Sequence, residues 1–173
     1  MPNHTSNCVD VSVKTGCSKE QLALAELKTM LAINSEEFDF NGIIPMPWQL
    51  NKGRSYGFDN CPSDYKNEGG FYVPKSRNVR DKWIKNFGFD NWYDWSNANW
   101  GTKWNSYDVD VDANFDDELT VQFFTAWSCP FPIFAKMKEY CQEHNLNLSW
   151  DVCFEGEDDV FDLMDEDMQE WGA

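Results

Sequence analysis

Leu146, Leu148, Trp150, Val152 and Phe154 alternate with Asn147, Ser149, Asp151 and Cys153. A period of two sustained over this length belongs to a strand that buries one face and wets the other, and no helix presents it to a core. Val9, Val11 and Val13, with Asp10 and Ser12 between them, repeat the pattern near the amino end. Tyr107, Val109 and Val111 alternate with Asp108, Asp110 and Asp112, and 119–126 is a further strand-forming run, so these two stretches predict a hairpin. Half-wet strands of this kind pair antiparallel.

Two helices complete the pattern. Ser18 opens Ser-Lys-Glu-Gln with Gln21 as a capping-box partner, and Leu22, Leu24, Ala25, Leu27, Leu31 and Ala32 carry a helix over 19–33. Phe131, Ile133, Phe134, Met137, Tyr140 and Cys141 stand at helical spacing over 131–144, with Pro132 in the first turn and Asn145 closing the end. The order predicts an α+β domain over 1–154, an antiparallel sheet with both helices on one face. Between its halves, the stretch through Phe38, Phe40, Pro45, Met46 and Pro47 reads as a buried, extended crossing segment.

An insertion at about 49–104 interrupts that plan. Residues 49–77, with Gly53, Gly57, Cys61-Pro62, Gly69-Gly70 and Pro74, read as a long surface excursion. From 78 to 104 the rings of Trp83, Phe87, Phe89, Trp92, Tyr93, Trp95, Trp100 and Trp104 fall on two short helices. Aromatic side chains that each bury about 150–250 Å² are read first as core. A platform for stacking bases would want a basic excess around it, and none is present.

Charge is distributed unevenly. The 173 residues carry a formal charge of -16; residues 1–107 hold 12 acids and 12 bases, whereas 108–173 hold 18 acids against Lys136 and Lys138 alone. Nine acids without a base crowd 155–170. Val160, Phe161, Met164 and Met168 are interleaved with them at the spacing of an apolar stripe on a short acidic helix. Such a surface repels phosphates and attracts basic proteins or cations.

Site chemistry of other kinds finds little support. Six cysteines, at 8, 17, 61, 129, 141 and 153, never take paired zinc spacing, and Cys141 with His144 supplies only two ligands, so they are expected to be free thiols with several buried. Asp108, Asp110 and Asp112 begin like a calcium loop, but Ala113 stands where its glycine belongs and Leu119 where its glutamate belongs. His4 and His144 are the only histidines, and no nucleophile elbow or phosphate-cradling glycine motif occurs. No enzymatic activity, metal or cofactor is expected. The first residues lack a secretory signal and no apolar run is long enough to span a bilayer, which places the expected location in the cytoplasm.

Three stretches carry a resemblance: Phe38-Asp39-Phe40-Asn41-Gly42-Ile43-Ile44-Pro45-Met46-Pro47; Trp92-Tyr93-Asp94-Trp95 with Asn99-Trp100-Gly101-Thr102-Lys103-Trp104-Asn105; and Thr125-Ala126-Trp127-Ser128-Cys129-Pro130. In this order they resemble the Api-type family of phage and plasmid proteins, which carries a YubB-type ferredoxin-like domain. The resemblance covers about residues 1–154 and implies a ferredoxin-like fold encoded on a mobile genetic element, with no catalytic residues to carry over. Family members continue after the last strand with a glycine-containing segment and a further strand; here the strand passes straight into the acidic segment 155–173, with only Gly156 near its start.

Charge and resemblance together predict a non-enzymatic binding protein of a phage or mobile element, acting in the host cell. It would inhibit a nucleic-acid-handling defence complex, in the manner of an anti-CRISPR or anti-nuclease DNA mimic, by laying carboxylates on a basic cleft. The expected contact residues are Glu155, Glu157, Asp158, Asp159, Asp162, Asp165, Glu166, Asp167 and Glu170, with Asp108, Asp110 and Asp112. Two other readings stay open. The tail is a solubility device on a phage accessory domain, or the sheet shows aromatics to RNA or a single strand, against the sign of the charge.

Overall fold

The computed structural model describes residues 3–50, 65–68, 71–74, 76–113, 116–154 and 161–162. In chain order the elements are β1 (His4–Val13), α1 (Ser18–Met30), β2 (Tyr65–Glu68), β3 (Phe71–Pro74), α2 (Arg77–Phe87), α3 (Trp92–Asn99), β4 (Tyr107–Asp112), β5 (Glu118–Ala126), α4 (Phe131–Glu143), β6 (Leu146–Phe154) and β7 (Phe161–Asp162). They fall into two compact units, one of residues 1–44 with 100–173 and one of Pro45–Asn99.

In the larger unit an antiparallel sheet runs in the order β4-β5-β1-β6-β7. The first and last long strands are thus neighbours, with Val9 opposite Trp150 and Val11 opposite Leu148, so their buried faces coincide. One face is dry. Val9, Val11, Leu119, Val121, Phe123, Trp150 and Val152 point into it, against Leu24 and Leu27 of α1 and Ile133, Phe134 and Met137 of α4. Both helices share this face, and the Tyr140 hydroxyl donates to the Ala23 carbonyl at 2.9 Å to tie one to the other.

Rings fill the layer between. Trp150 is fully buried, with Phe38, Phe123 and Phe134 at centroid distances of 6.1, 5.9 and 5.6 Å, and Phe38 stacks on Phe123 at 4.5 Å. Its indole N–H donates to the Asn7 carbonyl oxygen at 3.1 Å, while the Asn7 amide donates to the Thr5 carbonyl and the Thr125 hydroxyl. This buried amide is satisfied from three directions, which is the condition on which a core tolerates it.

Helix α1 starts differently from its sequence signal. Ser18 is the first helical residue, and the position before it, Cys17, makes no side-chain cap. The loop that leads into the helix is instead tied down by Glu20, a buried carboxylate that accepts from the Thr15 and Gly16 amides at 2.8 and 3.0 Å, from the Thr15 hydroxyl at 2.8 Å, and from Asn145 beyond α4. The Thr15 amide leads the hydrogen bonds that hold its pKa down, to about 2. The helix also stops at Met30, and 33–35 forms a separate turn after Ala32 takes a left-handed conformation, shorter than the predicted 19–33.

In the smaller unit β2 and β3 pair antiparallel, so the stretch read as an irregular excursion contains a hairpin. Ser76 caps α2, Gly88 ends it with φ 78°, and Trp83 and Trp95 are buried. The expectation that five tryptophans are core holds for those two and for Trp100; Trp92 and Trp104 are half-buried, and Trp100 and Trp104 lie beyond α3 rather than on it. At the carboxyl end Phe161–Asp162 is a strand on β6, not part of a helix, so a further strand does follow β6. The rest of the predicted stripe and of 155–173 lies outside the described residues.

Candidate functional site

The second face of the sheet is not covered by its helices, and cross-strand register decides what it displays. One row reads Asp110, Gln122, Cys8, Asp151, with Asp162 at the next register position; the adjacent row reads Asp112, Thr120, Asp10, Ser149. Asp10, Asp110 and Asp112 are exposed, and the Thr120 hydroxyl donates to Asp10. The five strands hold seven carboxylates, Asp10, Asp108, Asp110, Asp112, Glu118, Asp151 and Asp162, and no Lys or Arg. Burial, then the Asp10 and Asp151 carboxylates, push the Cys8 thiol up, an independent sign that these acids share one neighbourhood.

A bulge shapes the edge. Tyr107 lies opposite Phe124 and Asp110 opposite Gln122, so three steps on β4 match two on β5. Asp108 absorbs the extra residue at φ 49°, a left-handed conformation that aspartate accepts more readily than most residues. Without it, Tyr107 would point to the other face from Asp110 and Asp112; with it, all three join the open face.

Rings occupy that end of the face. Tyr107 and Phe124 stack with centroids 6.2 Å apart, and His4 lies edge-on to Phe124 at 6.1 Å with its Nδ1 2.6 Å from the Tyr107 hydroxyl. Trp104 meets Tyr107 at 6.4 Å. The Lys103 ammonium stands 4.5 Å from the Trp104 ring and 4.7 Å from the Trp127 ring. Phe124 is 37% exposed and Trp127 48%.

The stretches that carry the family resemblance lie mostly elsewhere and lock onto one another. Trp100 donates from its indole to the Ile44 carbonyl at 2.9 Å, and Asn105 bridges the Asp39 carboxylate and the Phe40 amide. Thr102 donates to the Ala126 carbonyl and Ser128 to that of Gly101. Gly101 has φ 78°, and a Cβ there would lie 2.8 Å from the Pro132 ring. These bonds hold the domain together, whereas Lys103, Trp104, Trp127 and Tyr93 reach the surface and Asp39 and Asn105 also line a polar cleft.

Of the predicted contact residues, the structure brings Asp110 and Asp112 together with Asp10 and Asp151, which sequence reasoning missed because they come from opposite ends of the chain. Asp108 instead lines a polar cleft of about 400 Å³ beside Glu36, Glu37, Asp39 and Asn105. Asp162 is placed by register beside Asp151. Glu155, Glu157, Asp158, Asp159, Asp165, Glu166, Asp167 and Glu170 lie outside the described residues. His4, Phe124 and Trp127 were also missed, although the doublet Phe123-Phe124 in an alternating strand forces one ring onto the wet face.

Burial pushes the Cys141 thiol up to about 12 and that of Cys129 further, so neither is a thiolate near neutrality. Cys141 is buried and His144 exposed, with His144 on the Tyr140 ring at 4.3 Å. Among the described residues no group of three His, Cys, Asp or Glu could hold a metal ion, and no helix is long and apolar enough to cross a membrane. What fold and surface define is an α+β protein whose antiparallel sheet turns an acidic, partly aromatic face outward. No family model, no curated protein and no solved structure matches the chain.

Proposed function

We propose that this chain is a non-enzymatic binding protein whose open sheet face, together with the carboxylates of the acidic sequence after Phe154, occupies a basic surface made for nucleic acid. The observation that carries the reading is the pair of rows that set Asp110 and Asp112 of β4, Asp10 of β1 and Asp151 of β6 on one face, on strands without a single Lys or Arg. A field of one sign over a broad face accelerates capture of a basic partner and repels phosphates. The strand order β4-β5-β1-β6, with helices linking β1 to β4 and β5 to β6, supports reading the domain as ferredoxin-like, the fold that the Api-type resemblance implies. On that basis the chain is read as a product of a phage or other mobile element that blocks a host nucleic-acid-handling defence complex, such as a CRISPR effector or nuclease, inside the host cell.

The test is capture from lysate of a host that carries the element. Nucleic-acid-binding proteins should be retained at low salt and released by added DNA, and an Asp10→Asn, Asp110→Asn, Asp112→Asn variant should retain much less. Capture that ignores both DNA and the substitutions would reject the reading. Exposed rings on the same face favour a second one, a single-strand-binding module, because Phe124 and Tyr107 are placed as stacking platforms are. Binding of single strands at low salt by the parent protein separates the two.

A further inference from the structure

The open face joins two chemistries that a single side-chain type satisfies together. Resting on the charge reading above, we propose that it selects arginine: a basic protein lays arginine side chains across it, guanidinium planes on the ring ridge of Tyr107, Phe124 and Trp127, and their N–H forks on the carboxylates of Asp110 and Asp112. Ring row and acid row are neighbours, since Tyr107 and Phe124 immediately precede, along the face, Asp110 and Gln122. Their separation of about 7 Å, two residues of strand, is within the span of one arginine side chain and its head group.

The ridge already holds a cation, because the Lys103 ammonium lies between the Trp104 and Trp127 rings. Trp127 is also held at φ 75° while remaining half exposed. A bulky residue in the left-handed region is strained, and burial does not account for keeping it there. Lysine would meet the same carboxylates but lacks the planar fork and stacks less well on rings. A nucleic acid strand would stack on the rings and place its phosphates against Asp10, Asp110 and Asp112.

The experiment uses the full chain and labelled oligo-arginine and oligo-lysine peptides of equal length, with a single-stranded oligonucleotide, followed by fluorescence anisotropy at low salt. Oligo-arginine should bind about two- to five-fold tighter than oligo-lysine, the ratio that exposed cation–ring contacts supply. Phe124→Ala and Trp127→Gly should bring that ratio near one, weakening oligo-arginine more than oligo-lysine. Trp127→Gly relieves the left-handed backbone, which offsets the partial ring packing it removes, so the melting temperature should move by only a few degrees; a large fall would show the ring to be packing and count against the assignment. Equal affinity for the two peptides, or a ratio that ignores the ring variants, overturns the arginine assignment while the charge reading stands. Failure of both peptides to bind sinks the charge reading as well. An oligonucleotide that outcompetes them and is lost with Phe124→Ala overturns the proposal in favour of single-strand recognition.

Discussion

Replacing Asp10, Asp110 and Asp112 together by Asn removes three charges from the open face without changing side-chain size. Adjacent strands are about 4.8 Å apart and alternate residues on one strand about 7 Å, so the three carboxylates stand about 7–12 Å from one another and each can meet its own partner cation. At a separation of about 7 Å in water one such pair is worth about 0.6 kcal/mol, and screening at 0.1 M salt halves it. Three pairs then contribute about 0.9 kcal/mol, a four- to five-fold change in association rate. At 1 M salt the Debye length of about 3 Å cuts the total below about 0.2 kcal/mol, and parent and variant should converge. The assay is stopped-flow association with the oligo-arginine peptide across that salt range. Melting should be level or slightly raised, since exposed like charges in neighbouring rows repel. Equal rates at low salt, or a deficit that persists at 1 M, would refute the argument.

Three further outcomes test the fold. In Glu20→Gln the neutral side chain loses the stabilisation of a carboxylate whose folded pKa, about 2, lies below its ordinary 4.5; that contribution is complete above 4.5 and lost as pH falls toward 2, so the melting temperature of the variant should be flatter across this window. Trp150→Phe strands the Asn7 carbonyl oxygen in the core and leaves a small void, expected to cost about 2–4 kcal/mol in urea unfolding; a loss below 1 would show the hydrogen bond to be dispensable. Gly42→Ala would put a methyl 1.8 Å from the Met30 carbonyl oxygen, a clash with backbone, and should destabilise by about 1–3 kcal/mol or more in the same assay.

Strands and helices of the larger unit are readable because alternation and helical spacing are local signals. Val9, Val11 and Trp150 announce their buried face wherever they pair, and Phe131 to Cys141 announce a helix. Register is not local. That Asp10 and Asp112 share a row on either side of Thr120 depends on which strands are neighbours. The bulge at Asp108 is equally silent, since unbroken alternation through 107–112 assigns Tyr107 to the wrong face. Ser18 looked like a cap because its type and spacing fit, but the longer, buried Glu20 reaches two amides at once. The hairpin of β2 and β3 did leave a signal, Gly69-Gly70 followed by Phe71, Tyr72 and Val73, which the surrounding polar residues obscured.

The bulged edge has a consequence for how the molecule behaves in a crowded solution. A sheet with bare edge strands invites another chain to extend it, and proteins that must stay dispersed blunt those edges with kinks, charge or brevity. Among the described residues, this sheet ends on one side with β4, bent at Asp108 and carrying three aspartates, and on the other with the two residues of β7. The β4 edge offers no straight, uncharged template for a passing strand, whereas β7 covers β6 only at Asp151 and Val152. The bulge and the aspartates of β4 therefore also disfavour pairing of that flank with the strand of another chain.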